Sequence, residues 1–149
     1  MIRRPPRSTL SSSSAASDVY KRQDGRINDL LDTLIDCGLD VVNMPSPQMV
    51  GIDEVGERFA GRICFANGLD IQTTLVSGSD RQIDDQARLL VEKWNTPAGG
   101  FIPAGCNYIA TIGSDIHRWL AGINALRKHA WGLGPLAEDD VAEYIPRLT

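Results

Sequence analysis

Residues 27–43 read Ile-Asn-Asp-Leu-Leu-Asp-Thr-Leu-Ile-Asp-Cys-Gly-Leu-Asp-Val-Val-Asn. Two periods meet in this stretch. Ile27, Leu30, Leu31, Leu34 and Ile35 recur at i, i+3, i+4, i+7 and i+8, which is one apolar face of an α-helix. Gly38 supplies a helix stop. Leu39-Asp40-Val41-Val42-Asn43 then forms a short β-branched run of the kind buried in a parallel sheet. Met44-Pro45-Ser46-Pro47 breaks it.

The same alternation continues toward the carboxyl end. Ile52, Val55 and Phe59 predict a short amphipathic helix that ends at Gly61, and Arg62 to Ala66 predict a second strand. Ser79 with Gln82 makes a capping box, and Ile83, Ala87, Leu90, Val91 and Trp94 line one face of the longest helix. Gly100 to Ala104 predict a third strand. Ser114 is the expected cap of a helix that turns Ile116, Trp119, Leu120, Ile123 and Leu126 inward, and Glu138 to Tyr144 predict a last short one. Helices alternating with strands mean parallel βαβ units, in an open doubly wound sheet or a (β/α)8 barrel. A closed barrel takes about 250 residues. The three visible strands of this 149-residue chain therefore read as about three βα units of something larger.

Charge divides the chain. Residues 1–23 carry Arg3, Arg4, Arg7, Lys21 and Arg22 against Asp18, a net +4, so the other 126 residues hold −8 of the overall −4. The first stretch has Pro5-Pro6 and the run Ser11 to Ser14, without apolar periodicity, and is expected to have no packed structure. Its Arg- and Ser-rich composition allows a transit peptide. Across its whole length, however, Met1 to Gln23 resembles a translated sequencing adapter, and it is set aside as an artefact. Residues 24–130 form the expected barrel portion, and 131–149 a tail with a short helix.

No apolar run approaches the ~18 residues of a membrane span. The acidic balance argues against a nucleic-acid partner held by phosphate contacts. Cys37, Cys64 and Cys106 are odd in number and lack a CxxC spacing, so neither a disulfide framework nor a zinc knuckle is indicated. A cytoplasmic, reducing compartment is the default.

Parallel α/β folds place ligands at the carboxyl ends of their strands. Three loops qualify here: Asn43 to Pro47, Asn67 to Gln72, and Gly105 to Tyr108. Asp70 follows a strand and a glycine, so it can serve as a carboxylate at the mouth or as the acceptor of an Asx-turn. Cys106, between Gly105 and Asn107, can contact substrate or ligate metal, or can be a small buried residue. Cys64 and Cys37 read as structural, His117 as solvated, and His129 as a cation suited to a helix carboxyl terminus. No GxGxxG, Walker A, HExxH or GxSxG motif occurs.

Several stretches together resemble the uroporphyrinogen decarboxylase-like family. Asp24 to Leu31 is similar to a segment that follows a histidine in that family, and Asp36 to Asn43 to its GxDxxN strand. Gly51 to Val55 and Phe59 to Ile63 resemble the next helix and strand. Asn67-Gly68-Leu69-Asp70-Ile71-Gln72 sits at a Gly-Asn-Leu-Asp-Pro-like loop. Gly99 to Ile102, leading into Gly105-Cys106-Asn107, sits at the last barrel strand and its loop. The resemblance covers about residues 24 to 130.

It implies roughly the carboxyl-terminal third of a (β/α)8 barrel. It also implies a cofactor-free lyase that removes acetate carboxyls from uroporphyrinogen in haem biosynthesis. Asp70, Cys106 and Asn107 would contact a small-molecule substrate, a tetrapyrrole or a methyl donor, with no nucleic acid or membrane partner. The parent can be a homodimer, and this portion alone should be inactive. The alternative within the superfamily is a corrinoid-linked methyltransferase that holds zinc, with Cys106 as one ligand. Against it, Asp24 stands at or beside the place of the family's His-x-Cys cysteine. The chain also lacks the family's proline-rich turn, since Asn107 to Asp115 contains no proline. From another class, a non-catalytic α/β module fits the length. The expected open inner face carries Val42, Phe65 and Ile102 or their neighbours, which predicts that the chain by itself is poorly folded or self-associating.

Overall fold

The computed structural model describes residues 20–22, 25–106 and 108–142. The elements are β1 (Tyr20–Arg22), α1 (Asn28–Asp36), β2 (Val41–Asn43), α2 (Pro47–Val50), α3 (Ile52–Phe59), β3 (Cys64–Asn67), α4 (Thr74–Ser77), α5 (Asp80–Trp94), β4 (Phe101–Pro103), α6 (Ile116–Trp131) and α7 (Glu138–Val141). The four strands form one parallel sheet in the order β1-β2-β3-β4, so each strand pairs with its neighbour in the chain. Successive right-handed crossovers that always step the same way place every connecting helix on one face. Burial agrees. Val42 and Phe65 are fully buried and Phe101 is nearly so, on the helical side, whereas Ile102 is 50% exposed on the other.

Two expectations are corrected here. Tyr20–Arg22 fall in the stretch expected to have no packed structure, yet they pair with Val41–Asn43 as β1. Pairing through the backbone leaves all three side chains exposed, so no apolar pattern marks the strand in the sequence. Residues 1–19, Gln23, Asp24 and Tyr144 lie outside the described residues. Second, Val42 and Phe65 do not face the open side. Side chains alternate along a strand, and the register pairs Val42 with Phe65 and Phe65 with Phe101 on the covered face. The open face carries Val41, Asn43, Cys64, Ala66 and Ile102: Ile102 as expected, and the chain neighbours of Val42 and Phe65 in place of those two.

Trp94, at the end of α5, ties the layers together. It is fully buried, its ring lies 4.6 Å from that of Phe65, and its Nε1–H donates to the carbonyl of Ile52 at 2.8 Å. Gly56 permits the approach, since a Cβ there would stand 2.7 Å from the Lys93 carbonyl oxygen. The Ser79–Gln82 capping box forms as expected. The cap of α6 does not. Asp115 accepts from the Arg118 N–H at 2.8 Å, while the Ser114 hydroxyl donates to the Leu75 carbonyl. Among the described residues no helix is long and apolar enough to cross a membrane.

Asn67, fully buried, lengthens the ladder with its side chain. Its Oδ1 accepts from the Met44 N–H at 2.7 Å and its Nδ2 donates to the Met44 carbonyl at 2.8 Å. The carboxamide thus does for Met44 what a further residue of β3 would do by main chain. Asn67→Ala orphans both groups of Met44, itself 1% exposed, and should lower unfolding free energy by about 2–3 kcal/mol. Urea titration measures it, and a loss below about 1 kcal/mol would show that water replaces the amide.

Helices α5 and α6 are joined at Asp84. Its carboxylate meets Lys128 Nζ at 2.8 Å and His129 Nε2 at 3.0 Å, and the Lys128 hydrogen bond holds its pKa below the usual value. A depressed folded pKa contributes stability that is complete above the unfolded value near 3.9 and lost as pH falls through the folded one. Asp84→Asn should therefore be less stable than the parent at pH 7, with the gap shrinking as pH falls below the ordinary carboxylate range. Urea midpoints measured at pH 7 and along an acid series check this, and a gap of constant size would contradict it.

Candidate functional site

A cleft of about 280 Å3 lies across the carboxyl ends of the strands. Its floor is the main chain of Gly68 and Gly105. Gly68 belongs there for a steric reason, because a Cβ would collide with the carbonyl oxygen of Ala104. The loops after β3 and β4 are thereby held edge to edge. Gly105 lies flat on α6, where a Cβ would stand 3.0 Å from Ile123 Cδ1, and the Trp119 Nε1–H donates to the Cys106 carbonyl at 2.9 Å. These contacts carry Cys106 to the cleft wall.

Facing it, Asn43 projects from the end of β2, its Nδ2 donating to the Ala66 carbonyl. Arg22, at the end of β1, places its guanidinium 4.9 Å over the Tyr108 ring. The loop after β4 and the first strand therefore meet across the cleft. Burial pushes the Cys106 thiol up, and the opposing pull of the Arg22 charge is the smaller effect. The group in the cleft at neutral pH is a thiol. Nucleophilic attack needs the thiolate. Alkylation of Cys106 by iodoacetamide, followed by peptide mass mapping, should thus accelerate only above the ordinary thiol range near pH 8.5. A rate already maximal at pH 7 would show an activated thiolate instead.

Asp70 is placed differently from Cys106. It is 1% exposed and is not among the residues that line the cleft. Its Oδ1 accepts from the N–H groups of Gln72 at 2.9 Å and Thr73 at 3.0 Å, and from the Thr73 hydroxyl at 3.0 Å. Its Oδ2 accepts from the Gln48 N–H at 3.2 Å, near the start of α2. Its own N–H donates to Gln86 Oε1 at 2.8 Å. This is the Asx-turn arrangement, extended to a second loop: the carboxylate organises the turn after β3 and fastens it to the one after β2. Asn107, the remaining candidate, lies outside the described residues.

The other sequence candidates are dispersed. Cys37 is exposed at the carboxyl end of α1, Cys64 lies half-buried in β3, and His129 is engaged with Asp84. His117 is 81% exposed beside Glu138, at 2.9 Å. Among the described residues no three of His, Cys, Asp and Glu gather closely enough to hold a metal ion. A larger hollow of about 570 Å3 runs between α5, α6 and residues 132–135. It lies in the helical layer, away from the strand ends, and its Asp84 and Lys128 pair with each other. The strand-end cleft is the stronger candidate because three loops converge there.

Arg22 and Tyr20, which line the cleft, were set aside with the stretch before residue 24. The signal for them was slight: one aromatic residue in a run of three strand residues. Comparison with protein-family models, with curated proteins and with solved structures finds no match to this chain.

Proposed function

We propose that the chain is the carboxyl-terminal part of a (β/α)8 barrel in a uroporphyrinogen decarboxylase-like lyase. The cleft at the strand ends would form one wall of the pocket for a carboxylated tetrapyrrole. The observation that carries this reading is the strand order. Parallel strands in uninterrupted chain order, with helices on one face, are the arrangement of a barrel wall. A doubly wound sheet reverses its order at a switch point, and β1-β2-β3-β4 contains no reversal. The stretches from Asp24 to Asn107 quoted above supply the family. Cofactor-free loss of a carboxyl needs a pocket that positions the substrate and meets charge developing at the reacting carbon. Asn43 and Cys106 supply neutral polar contacts, the Gly68 and Gly105 main chain allows close approach, and Asp70 holds the loop between them in shape.

The second reading is a zinc-dependent methyltransferase of the same superfamily. What favours it is Cys106, which lines the cleft while its other side packs against the core. Zinc would draw the proton from this thiol on binding.

One experiment separates the readings. The chain is joined to its upstream coding sequence, and the product is assayed for decarboxylation of uroporphyrinogen and for bound zinc. Turnover in zinc-free protein, with KM raised in Cys106→Ala, supports the lyase. One equivalent of zinc lost in Cys106→Ala, without decarboxylation, supports the methyltransferase. Neither activity nor zinc in a folded product overturns both.

A further inference from the structure

Cys106 stands between two spaces. On one side is the strand-end cleft. On the other is a narrow gap under α6, bounded by Leu69, Leu75, Trp119, Ile123 and Leu126. Leu69, Ala104 and Gly105 border both spaces together with Cys106, so a single layer of chain separates them. The gap measures about 10 Å3, no more than one water, and its apolar side chains offer a water no partners. Helix α6 is drawn close over this layer because residue 122 is glycine, where a Cβ would stand 2.8 Å from Leu69 Cδ1.

A free cysteine behaves as a small hydrophobe, and burial is its usual fate. The apolar gap is therefore a better medium for the Cys106 thiol than the open cleft, yet the residue is only half-buried and lines the cleft wall. What restrains it comes from behind. The Trp119 Nε1–H donates to the Cys106 carbonyl at 2.9 Å, and this is the one hydrogen bond between described residues that holds Gly105 or Cys106. The bond turns the carbonyl toward α6. The indole itself lies against the same stretch of chain, since a Cβ on Gly105 would stand 3.4 Å from its Nε1 and 3.9 Å from its Cε2.

We propose that Trp119 is a positioning residue of the candidate site, which keeps the Cys106 thiol on the cleft side by fixing the Cys106 carbonyl and by filling the space behind it. Without Trp119 the sulfur turns into the gap, and the cleft loses the one thiol it has among the described residues. Tryptophan suits the task because it joins a ring large enough to fill the gap's end to an N–H that must find a partner when buried. A phenylalanine supplies only a smaller ring. The helix behind the sheet thereby decides what the cleft presents to a ligand.

This inference rests on the reading above only in taking the strand-end cleft as the site. Its test follows the thiol without turnover or zinc, so its failure leaves that reading standing. The full chain is treated with iodoacetamide at about pH 9, where thiolate is plentiful, and modification of Cys106 is followed by peptide mass mapping relative to the rate in urea. Trp119→Phe removes the N–H and widens the gap, so alkylation of Cys106 should slow at least about fivefold. Trp131→Phe, at a side chain that is 56% exposed, should leave the rate unchanged. A rate in Trp119→Phe within about twofold of the parent would overturn the proposal. So would a faster one, which would mean that the loop swings outward and Trp119 merely holds it down. The parent chain gives a second reading that needs no variant. With the thiol on the cleft side, carbamidomethylation leaves the Trp119 hydrogen bond in place, so the indole proton should keep its nuclear magnetic resonance position and its slow exchange. Loss of that protection on alkylation would place the sulfur in the gap and overturn the proposal.

Discussion

Trp94→Ala is expected to lower the free energy of unfolding by about 4 kcal/mol, the largest loss any single truncation should produce in this chain. Two contributions add. Removing a fully buried indole leaves a cavity between α5, α3 and β3, which the surrounding helices can fill only in part. The Ile52 carbonyl also loses the 2.8 Å donor that holds the start of α3 to the end of α5. Trp94→Phe keeps most of the volume and the stacking on Phe65, and gives up the hydrogen bond, so its cost should be about 1.5 kcal/mol. Urea titration with an unchanged denaturant slope measures both. A loss under about 2 kcal/mol for the alanine variant would mean that α3 and α5 close over the space, which Gly56, packed on Lys93, gives little room to do.

Asp70→Ala comes next, at about 3 kcal/mol. Its carboxylate accepts from three main-chain N–H groups and a hydroxyl in a site that is 1% exposed, so the donors of Gln48, Gln72 and Thr73 lose their acceptor without ready access to water. Asp70→Asn should lose about 2 kcal/mol. One edge of an amide can still accept, but its NH2 edge then confronts a donor. The local reading is hydrogen exchange at Gln72 and Thr73, which should quicken at least tenfold in either variant. If stability and exchange stay at parental values, the carboxylate is not what holds the loop, and its role has to be sought at the mouth.

The helices were legible because their period is long and redundant. Of the five apolar residues spaced along 27–35, Ile27, Leu31 and Ile35 are buried and Leu34 packs against the core, whereas Leu30 turns out to be 58% exposed. Strands of three or four residues carry no such redundancy. For β1 the exposed triplet Tyr20–Arg22 left nothing to read. For β2 and β3 the strands were visible but the parity was not, and Val42 and Phe65 went to the helical face because sheet register, not local composition, decides which way a residue points. The loops of the site were found from their position after the strands. The direction of Asp70 was not, although the Asx-turn was one of its two readings. The choice between them is made by the Gln48 N–H, 22 residues earlier in the chain, and by Gln86, 16 residues later. No pattern within the loop encodes a partner at that distance. The Ser114 cap failed for a related reason: its hydroxyl is taken by Leu75, 39 positions away.

The uninterrupted strand order has a consequence for how such a chain can change in length. Arg22 and Tyr108 aside, which meet across the cleft, each strand pairs only with the strands before and after it, so a unit added at either end meets a border of the same kind as the one it covers and leaves a new one behind. Growth by duplication needs no rethreading, and each step is equivalent to the last. Nothing inside the repeated pattern signals where to stop. Where a sheet of this order does close into a barrel, the stopping rule is supplied by curvature, because strand twist brings the first border round to the last after a set number of units. Until that meeting, lengthening moves the sticky border along without removing it.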